Sequence, residues 1–210
     1  GTGAVRAVLA ALIPGGGRLL VHDAPVYPTT ATIAQQVGLA LVRVDFNDPQ
    51  ALAQAARHHP HAALVQHTRQ QPADRYQLAE VVKSLTAQAI PVLTDDNYAV
   101  MKVAAIGCEY GAALSTFSCF KLFGPEGVGA VVGNREAIAR IRATMYSGGS
   151  QIQGGQALAV LRGMVMAPVM HAVQAGVTER LCLMLNQGAI PQVKHAVIAN
   201  AQSKVLLVTF

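Results

Sequence analysis

The sequence has few charged and aromatic residues. Asp, Glu, Lys and Arg make up only 13% of it, Trp is absent, and hydrophobic residues reach 52%. So little charge beside so much apolar content indicates extensive burial, in a core large enough for one domain and with room for a subunit interface. The formal net charge is +5. The basic residues are scattered, with no basic run and no interleaved aromatics, which argues against a nucleic-acid-binding protein.

Cysteine is also sparse. The three cysteines, Cys108, Cys119 and Cys182, form no C-x-x-C pattern, and this argues against a metal or redox motif. An odd, low count is typical of a reducing compartment. The histidine cluster at 58–61 lacks carboxylate or cysteine neighbours at ligand spacing, so we interpret it as a solvated connector. We find no signal peptide and no apolar stretch of about 18 residues, and expect a cytoplasmic protein without membrane contact.

The apolar pattern alternates between helix-like and strand-like segments. Helix-like patterns cover 2–12, 29–37, 49–58, 74–89, 135–145 and 152–186, the last of them with glycine interruptions. Strand-like patterns cover 18–23, 39–44, 62–66, 91–95, 112–118, 128–132 and 204–210. This alternation predicts an α/β fold with a mainly parallel sheet and helices on both faces. Ligands of such sheets bind at the carboxyl ends of the strands. Asp95 and Ser118 both fall at predicted strand ends.

Lys121 follows Ser118 closely and precedes the glycine-rich segment 124–129. Together with Asp95, which ends an earlier buried strand, it matches what a pyridoxal 5′-phosphate (PLP) site requires. The lysine of such a site forms a Schiff base with the cofactor, and the acid partners the pyridinium nitrogen. The alternative interpretation is a solvated loop lysine and an ordinary turn carboxylate.

The run Asp-Asp-Asn-Tyr at 95–98, followed by Ser-Cys-Phe-Lys at 118–121, resembles the core of the fold-type I PLP-dependent enzymes, the aspartate aminotransferase superfamily. The sequence is most similar to the aminotransferase-like YhfS family, and it also resembles the cystathionine-lyase and selenocysteine-synthase branches. The resemblance implies a PLP-binding large domain over 1–187. It also implies that 188–210 begins a small C-terminal domain that is truncated here, and that the protein is a homo-oligomer, a dimer or a tetramer.

The resemblance gives roles to the central residues. Lys121 would bind the cofactor covalently and act as general acid and base at the substrate Cα. Asp95 would keep the pyridine nitrogen protonated, and Tyr98 would bond the phenolate oxygen unless it is an ordinary core tyrosine. Asp96 is the rival acid, because the Asp-Asn pair at 96–97 resembles the cystathionine-lyase branch. The Asp-x-x-Tyr spacing favours Asp95.

The phosphate group would lie at the start of the first helix, where free N–H groups and the helix dipole attract anions. The resemblance places Thr2, Gly3 and Ala4 around the phosphate, with the hydroxyl of Ser118, and ordinary N-capping is compatible with this role.

Two further residues follow from the resemblance. Tyr27 would stack on the pyridine face, or be a plain loop aromatic. Arg69 would lie near the pyridine edge or the substrate.

The sequence therefore predicts a PLP-dependent enzyme that acts at Cα of an amino acid or related amine, with transamination favoured. A β- or γ-eliminating lyase of the cystathionine-lyase type is the alternative within the same chemistry. Two other classes stay open, a catalytically silent scaffold with the PLP fold and a nicotinamide-dependent enzyme with a doubly wound sheet. No metal site is predicted.

Overall fold

A six-stranded sheet forms the centre of the molecule. The structure is a computed structural model that describes residues 1–25, 27–68, 71, 73–145, 151–199 and 205–210. The strands of the sheet are β1 (Arg18–His22), β2 (Ala40–Val44), β3 (Ala62–Gln66), β4 (Val92–Asp95), β5 (Leu114–Ser118) and β6 (Gly129–Gly133). Their order is β2-β1-β3-β4-β5-β6, and the first five are parallel, whereas β6 runs antiparallel to β5. The predicted mainly parallel α/β fold is confirmed.

Helices cover both faces of the sheet. They are α1 (Thr2–Leu12), α2 (Pro28–Val37), α3 (Pro49–Ala53), α4 (Leu78–Ala87), α5 (Arg135–Ala143) and α6 (Gly154–Asn186). On β1, Leu19 belongs to a core cluster with α1, α2 and α5, whereas Leu20 belongs to a second cluster with α3 and α4. Because neighbouring strand residues point to opposite faces, burial on both sides explains why the strands are apolar without alternation.

The helix predicted over 74–89 begins later than the sequence pattern indicates, at Leu78. Asn47 accepts backbone hydrogen bonds from the N–H groups of Arg75 (2.7 Å) and Tyr76 (3.1 Å), and the Asp74 carboxylate lies 3.0 Å from Nε2 of His22. These long-range bonds hold 74–76 outside the helix. Local pattern does not reveal them.

The last helix, α6, is continuous, although the sequence predicts glycine interruptions. Pro168 and two interior glycines are accommodated within its 33 residues. By length and composition α6 could cross a membrane, the one such helix within the described ranges. The expectation that no apolar stretch of this length exists is therefore wrong. One such helix alone is weak grounds for membrane contact.

A separate antiparallel hairpin follows α6. It consists of β7 (His195–Ala199), which the sequence pattern did not predict, and β8 (Val205–Thr209). The side-chain amide of Asn186, the last residue of α6, bonds both the carbonyl (2.8 Å) and the N–H (2.9 Å) of Ala196. The hairpin is thereby joined to the end of the long helix.

Candidate active site

A pocket of about 170 Å³ opens at the carboxyl ends of β3, β4 and β5, beside the starts of α1 and α2. Its lining consists of Gly1, Thr2, Val5, Tyr27, Thr29, Thr30, Ile33, Gln66, Thr68, Asp95, Asn97, Tyr98, Ser118, Phe120 and Lys121. This is the edge at which parallel α/β sheets bind their ligands. The structure brings six of the predicted site residues to this one pocket: Thr2, Tyr27, Asp95, Tyr98, Ser118 and Lys121.

Lys121 lies on a single 3₁₀ turn, Cys119–Leu122, that directly follows β5. The Cys119 N–H bonds the carbonyl of Val128 (2.9 Å), so the turn is attached to the segment that returns into β6. The Lys121 ammonium donates a hydrogen bond of 2.8 Å to the Tyr98 hydroxyl. It also lies 4.4 Å from the ring centre of Phe120, within range of a cation–π contact. These contacts hold the amine at the pocket.

Asp95 ends β4 and lines the pocket. The pKa of its carboxyl is raised to about 6, mainly by burial and in smaller part by the neighbouring Asp96 charge, although hydrogen bonding from Asn97 opposes the shift. The backbone N–H of Asn97 donates 3.1 Å to the Asp95 carboxylate. A carboxyl in such surroundings is poised to change its protonation when a ligand charge arrives.

Asp96 points away from the pocket and is fully buried. Its carboxylate lies 2.6 Å from Nδ1 of His67 and accepts a 2.6 Å bond from the Thr94 hydroxyl. Successive strand residues point to opposite faces of a sheet, and here the two adjacent acids diverge in the same way. Of the two rival acids, Asp95 alone lines the pocket.

Asn97 is a site residue that the sequence analysis did not select. Its side-chain oxygen accepts the backbone N–H of Ser118 at 2.7 Å, which joins the end of β4 to the end of β5. The same side chain packs on Gly1, where an added methyl group would lie 2.8 Å from the amide atoms of Asn97. The signal in the sequence was the Asp-Asn pair at 96–97, which we used only to weigh the two acids.

The start of α1 offers free backbone donors. Its first helical hydrogen bond runs from the Val5 N–H to the Gly1 carbonyl (3.0 Å), and among the described residues no side chain caps the helix. The N–H groups of Thr2, Gly3 and Ala4 therefore have no partner within the helix. Of these three predicted residues, Thr2 lines the pocket, whereas Gly3 and Ala4 are not among its lining residues; Ala4 is buried in the core.

Tyr27 and Thr68 complete the two flanks of the pocket. Tyr27, the residue before α2, is 41% exposed, so much of its ring is open to solvent. Thr68, which the sequence analysis missed, is buried, and its hydroxyl has no hydrogen-bond partner in the described part of the chain. A buried hydroxyl left unbonded is costly, and this one lines a pocket. Arg69, the predicted substrate residue, lies outside the described residues.

The pocket thus combines an amine, a carboxyl of raised pKa, free helix N–H groups and several hydroxyls. These groups suit a ligand with an anionic group at one end and a ring or carbonyl that reacts with an amine. Within the described ranges, no group of three or more His, Cys, Asp or Glu side chains is placed to hold a metal ion.

Comparison with known proteins identifies relatives along the whole chain. The model of the aminotransferase class I and II family matches residues 1–164, and that of the YhfS-like C-terminal domain matches 179–210. The uncharacterized protein YhfS of Escherichia coli K12 is 72% identical over 211 residues, which are 100% of this chain and 58% of the relative. The chain therefore spans less than two thirds of that relative.

Solved structures similar to this chain point to the same family and fold. The crystal structure of E. coli YhfS, described as a pyridoxal-5′-phosphate dependent protein, is similar with a TM-score of 0.92 and 71% identity, over 100% of this chain and 58% of that one. The methionine gamma lyase CalE6 of Micromonospora echinospora has a TM-score of 0.75 at 21% identity, over 93% and 54% of the two chains. A cystathionine gamma synthase of Xanthomonas oryzae has 0.73 at 23%, over 92% and 51%. The last two show a shared fold.

Proposed function

Since this chain belongs to the aminotransferase class I and II family, we propose that its pocket binds PLP through Lys121 and that the protein acts at Cα of an amino acid or related amine. Family membership confirms the resemblance to fold-type I enzymes drawn from the sequence. The observation that carries the proposal is that Lys121 and Asp95, 26 residues apart in the chain, line one pocket beside the free start of a helix.

The residues present fit this cofactor. The Lys121 amine is the attachment point, and the N–H groups at the start of α1, with the hydroxyls of Thr2 and Ser118, are the phosphate ligands. The unpartnered Thr68 hydroxyl supports the presence of a polar ligand here. When bound, PLP supplies an electron sink that lowers the barrier to breaking a bond at Cα.

Asp95 is the partner of the pyridine nitrogen in this proposal. Its pKa is raised to about 6 mainly because the carboxyl is shielded from water. A positive charge within hydrogen-bond distance favours the ionised carboxyl, so a protonated ring nitrogen would keep Asp95 in its anionic form. The carboxylate would then hold that proton in place.

Lys121 is the group placed to move protons at the substrate Cα. Its amine points to the pocket, and the Tyr98 hydroxyl fixes it at 2.8 Å. A positioned amine can take a proton and return it, which is how general acid–base catalysis works. Tyr98 orients the base in this scheme.

Covalent labelling tests the attachment residue. Borohydride reduction of the protein with PLP, followed by peptide mass mapping, should place a phosphopyridoxyl group on Lys121. Lys102 is the sharpest internal competitor: its ammonium lies 5.9 Å from the Tyr98 ring centre, and burial, with the nearby Lys121 charge, lowers its pKa. A label on Lys102 or Lys83, with Lys121 bare, would overturn the assignment. A protein that takes up no PLP would favour the scaffold or the nicotinamide alternative.

We propose transamination as the reaction of the whole protein, because the matched family is that of the aminotransferases. Single amino acids should convert the bound cofactor to pyridoxamine 5′-phosphate, and a 2-oxo acid should reverse the change. Release of ammonia and a 2-oxo acid, with the cofactor unchanged, would identify an eliminating lyase instead.

We also propose a cytoplasmic homo-oligomer, as the sequence analysis predicts. Sedimentation of the whole protein should show a dimer or tetramer, and cell fractionation should recover it with the soluble proteins. A monomer at micromolar concentration would contradict the first expectation.

A further inference from the structure

The long helix α6 packs directly on the backbone of the turn that carries Lys121. Gly163 is the point of contact and is buried. A methyl group added there would lie 2.5 Å from the carbonyl oxygen of Leu122 and 2.6 Å from the amide nitrogen of Gly124. Such distances are shorter than van der Waals contact, so only glycine permits this approach.

The atoms opposite Gly163 belong to the main chain. A flexible side chain could rotate away from an added methyl group, but backbone inside a packed core moves only as part of its segment. Ala167, one helical turn later on the same face, is fully buried and packs in a cluster with Leu122. Helix α6 therefore contacts the segment that carries Lys121 at two positions that lie one helical turn apart.

The turn itself is tight. The Phe123 N–H bonds the carbonyl of Phe120 (3.1 Å), and the Gly124 N–H bonds that of Cys119 (3.0 Å). Phe123 has a φ of 60°, a left-handed conformation that few non-glycine residues adopt. Because this turn is tightly bonded, a displacement of residues 122–124 should displace Lys121 as well.

The partner of Lys121 lies on a different segment. Tyr98 follows β4, whereas Lys121 follows β5, so their 2.8 Å hydrogen bond depends on where the turn rests. We propose that Gly163 is a positioning residue that sets the place of the Lys121 amine. This rests on the proposed role of Lys121.

Two glycines of the same helix give a matched test. Gly163→Ala adds a methyl group against the turn, whereas Gly176→Ala adds one where no atom lies within 4 Å. In the apoprotein, the acylation rate of Lys121 relative to exposed Lys83, followed by peptide mass spectrometry, should shift in Gly163→Ala and stay at the wild-type ratio in Gly176→Ala. This readout needs no cofactor, so it remains valid if the PLP proposal fails.

The holoprotein gives the second readout. Turnover of Gly163→Ala should fall about 10- to 100-fold, the effect of a reacting group displaced by about 1 Å, and the pH dependence of cofactor absorbance should shift. Gly176→Ala should match the wild type in both. If Gly163→Ala does not fold, Ala167→Gly, which withdraws a methyl group from the same face without a clash, should shift the Lys121 acylation ratio. An unchanged ratio in a folded Gly163→Ala, or in Ala167→Gly as its replacement, would overturn the inference.

Discussion

Lys121 and Tyr98 meet in a 2.8 Å hydrogen bond, although one follows β5 and the other follows β4. The sequence resemblance assigns the Tyr98 hydroxyl to the phenolate oxygen of the cofactor. In the structure, this hydroxyl accepts a hydrogen bond from the Lys121 ammonium. The tyrosine is thus placed to orient the base.

Replacing Tyr98 by phenylalanine should slow catalysis without abolishing cofactor attachment. Hydrogen bonds to charged groups contribute roughly 1.5–3 kcal/mol, so kcat should fall about tenfold or more while the covalent label still forms on Lys121. Single-turnover kinetics and borohydride labelling measure the two effects separately. Wild-type kcat in Tyr98→Phe would show that the hydroxyl does not orient the amine.

The two adjacent acids should respond differently to amide substitution. Asp95→Asn removes the charge opposite the pyridine nitrogen, and kcat should fall by about 10- to 150-fold, the worth of a charge-assisted hydrogen bond. Asp96→Asn disturbs the buried bonds to His67 and Thr94, so it should lower the free energy of unfolding by roughly 1–3 kcal/mol. Its kcat per folded molecule should change little. Equal kcat losses would overturn the assignment to Asp95, and the reverse order would assign the ring partner to Asp96.

The free energy of unfolding of the apoprotein should depend on pH through the Asp95 carboxyl. Its pKa is raised from 3.8 to about 6 in the folded protein, so between these values the folded state binds more protons than the unfolded state. Stability therefore falls as pH rises from about 4 to 6 and stays reduced above, by up to about 3 kcal/mol. Urea unfolding at pH 4 and pH 7.5 should show Asp95→Asn gaining stability over the wild type only at the higher pH. A constant difference between the two proteins would contradict the buried carboxyl.

Asn97 should matter for cofactor affinity. Asn97→Ala leaves the Ser118 N–H without its acceptor and releases the packing against Gly1. An unsatisfied buried donor costs roughly 1–3 kcal/mol, and Ser118, a proposed phosphate ligand, loses the bond that positions it, so the Kd for PLP should rise about 5-fold or more. The control is Asn134→Ala, which removes the cap of α5 and should lower stability by about 1 kcal/mol without changing Kd. An unchanged Kd in Asn97→Ala would remove Asn97 from the site.

The sheet was predictable because each strand is short, apolar and followed by a residue that ends it. Gly38, with a φ of 73°, ends α2 where the sequence predicts. The start of α4 was not predictable, since it depends on bonds from Asn47 to residues 28 and 29 positions away. The continuity of α6 was missed for a related reason. Gly163 disfavours a helix locally, but its contact with the lysine turn requires a glycine.

The site residues also fall into two groups, those that the sequence reveals and those that it does not. Lys121 and Asp95 could be found from local motifs because each lies next to a strand end. Asn97 and Thr68 could not be selected, because their roles depend on partners, or on the absence of one, in three dimensions. The divergence of Asp95 from Asp96 follows from strand alternation. Which face carries the pocket depends on the strand order, which the sequence alone does not give.

The antiparallel pairing of β5 with β6 has a consequence for local opening. Ser118 pairs with Gly129, so the loop bearing Lys121 leaves and re-enters the sheet at one place, unlike the helical crossovers that join the parallel strands. The loop is therefore anchored to one strand pair at both of its ends. Amide protons of 119–124 should therefore exchange with solvent in step with those of β5, as one cooperative unit. Because β6 is an edge strand of the sheet, the lysine loop would open together with the β5–β6 pair during partial unfolding.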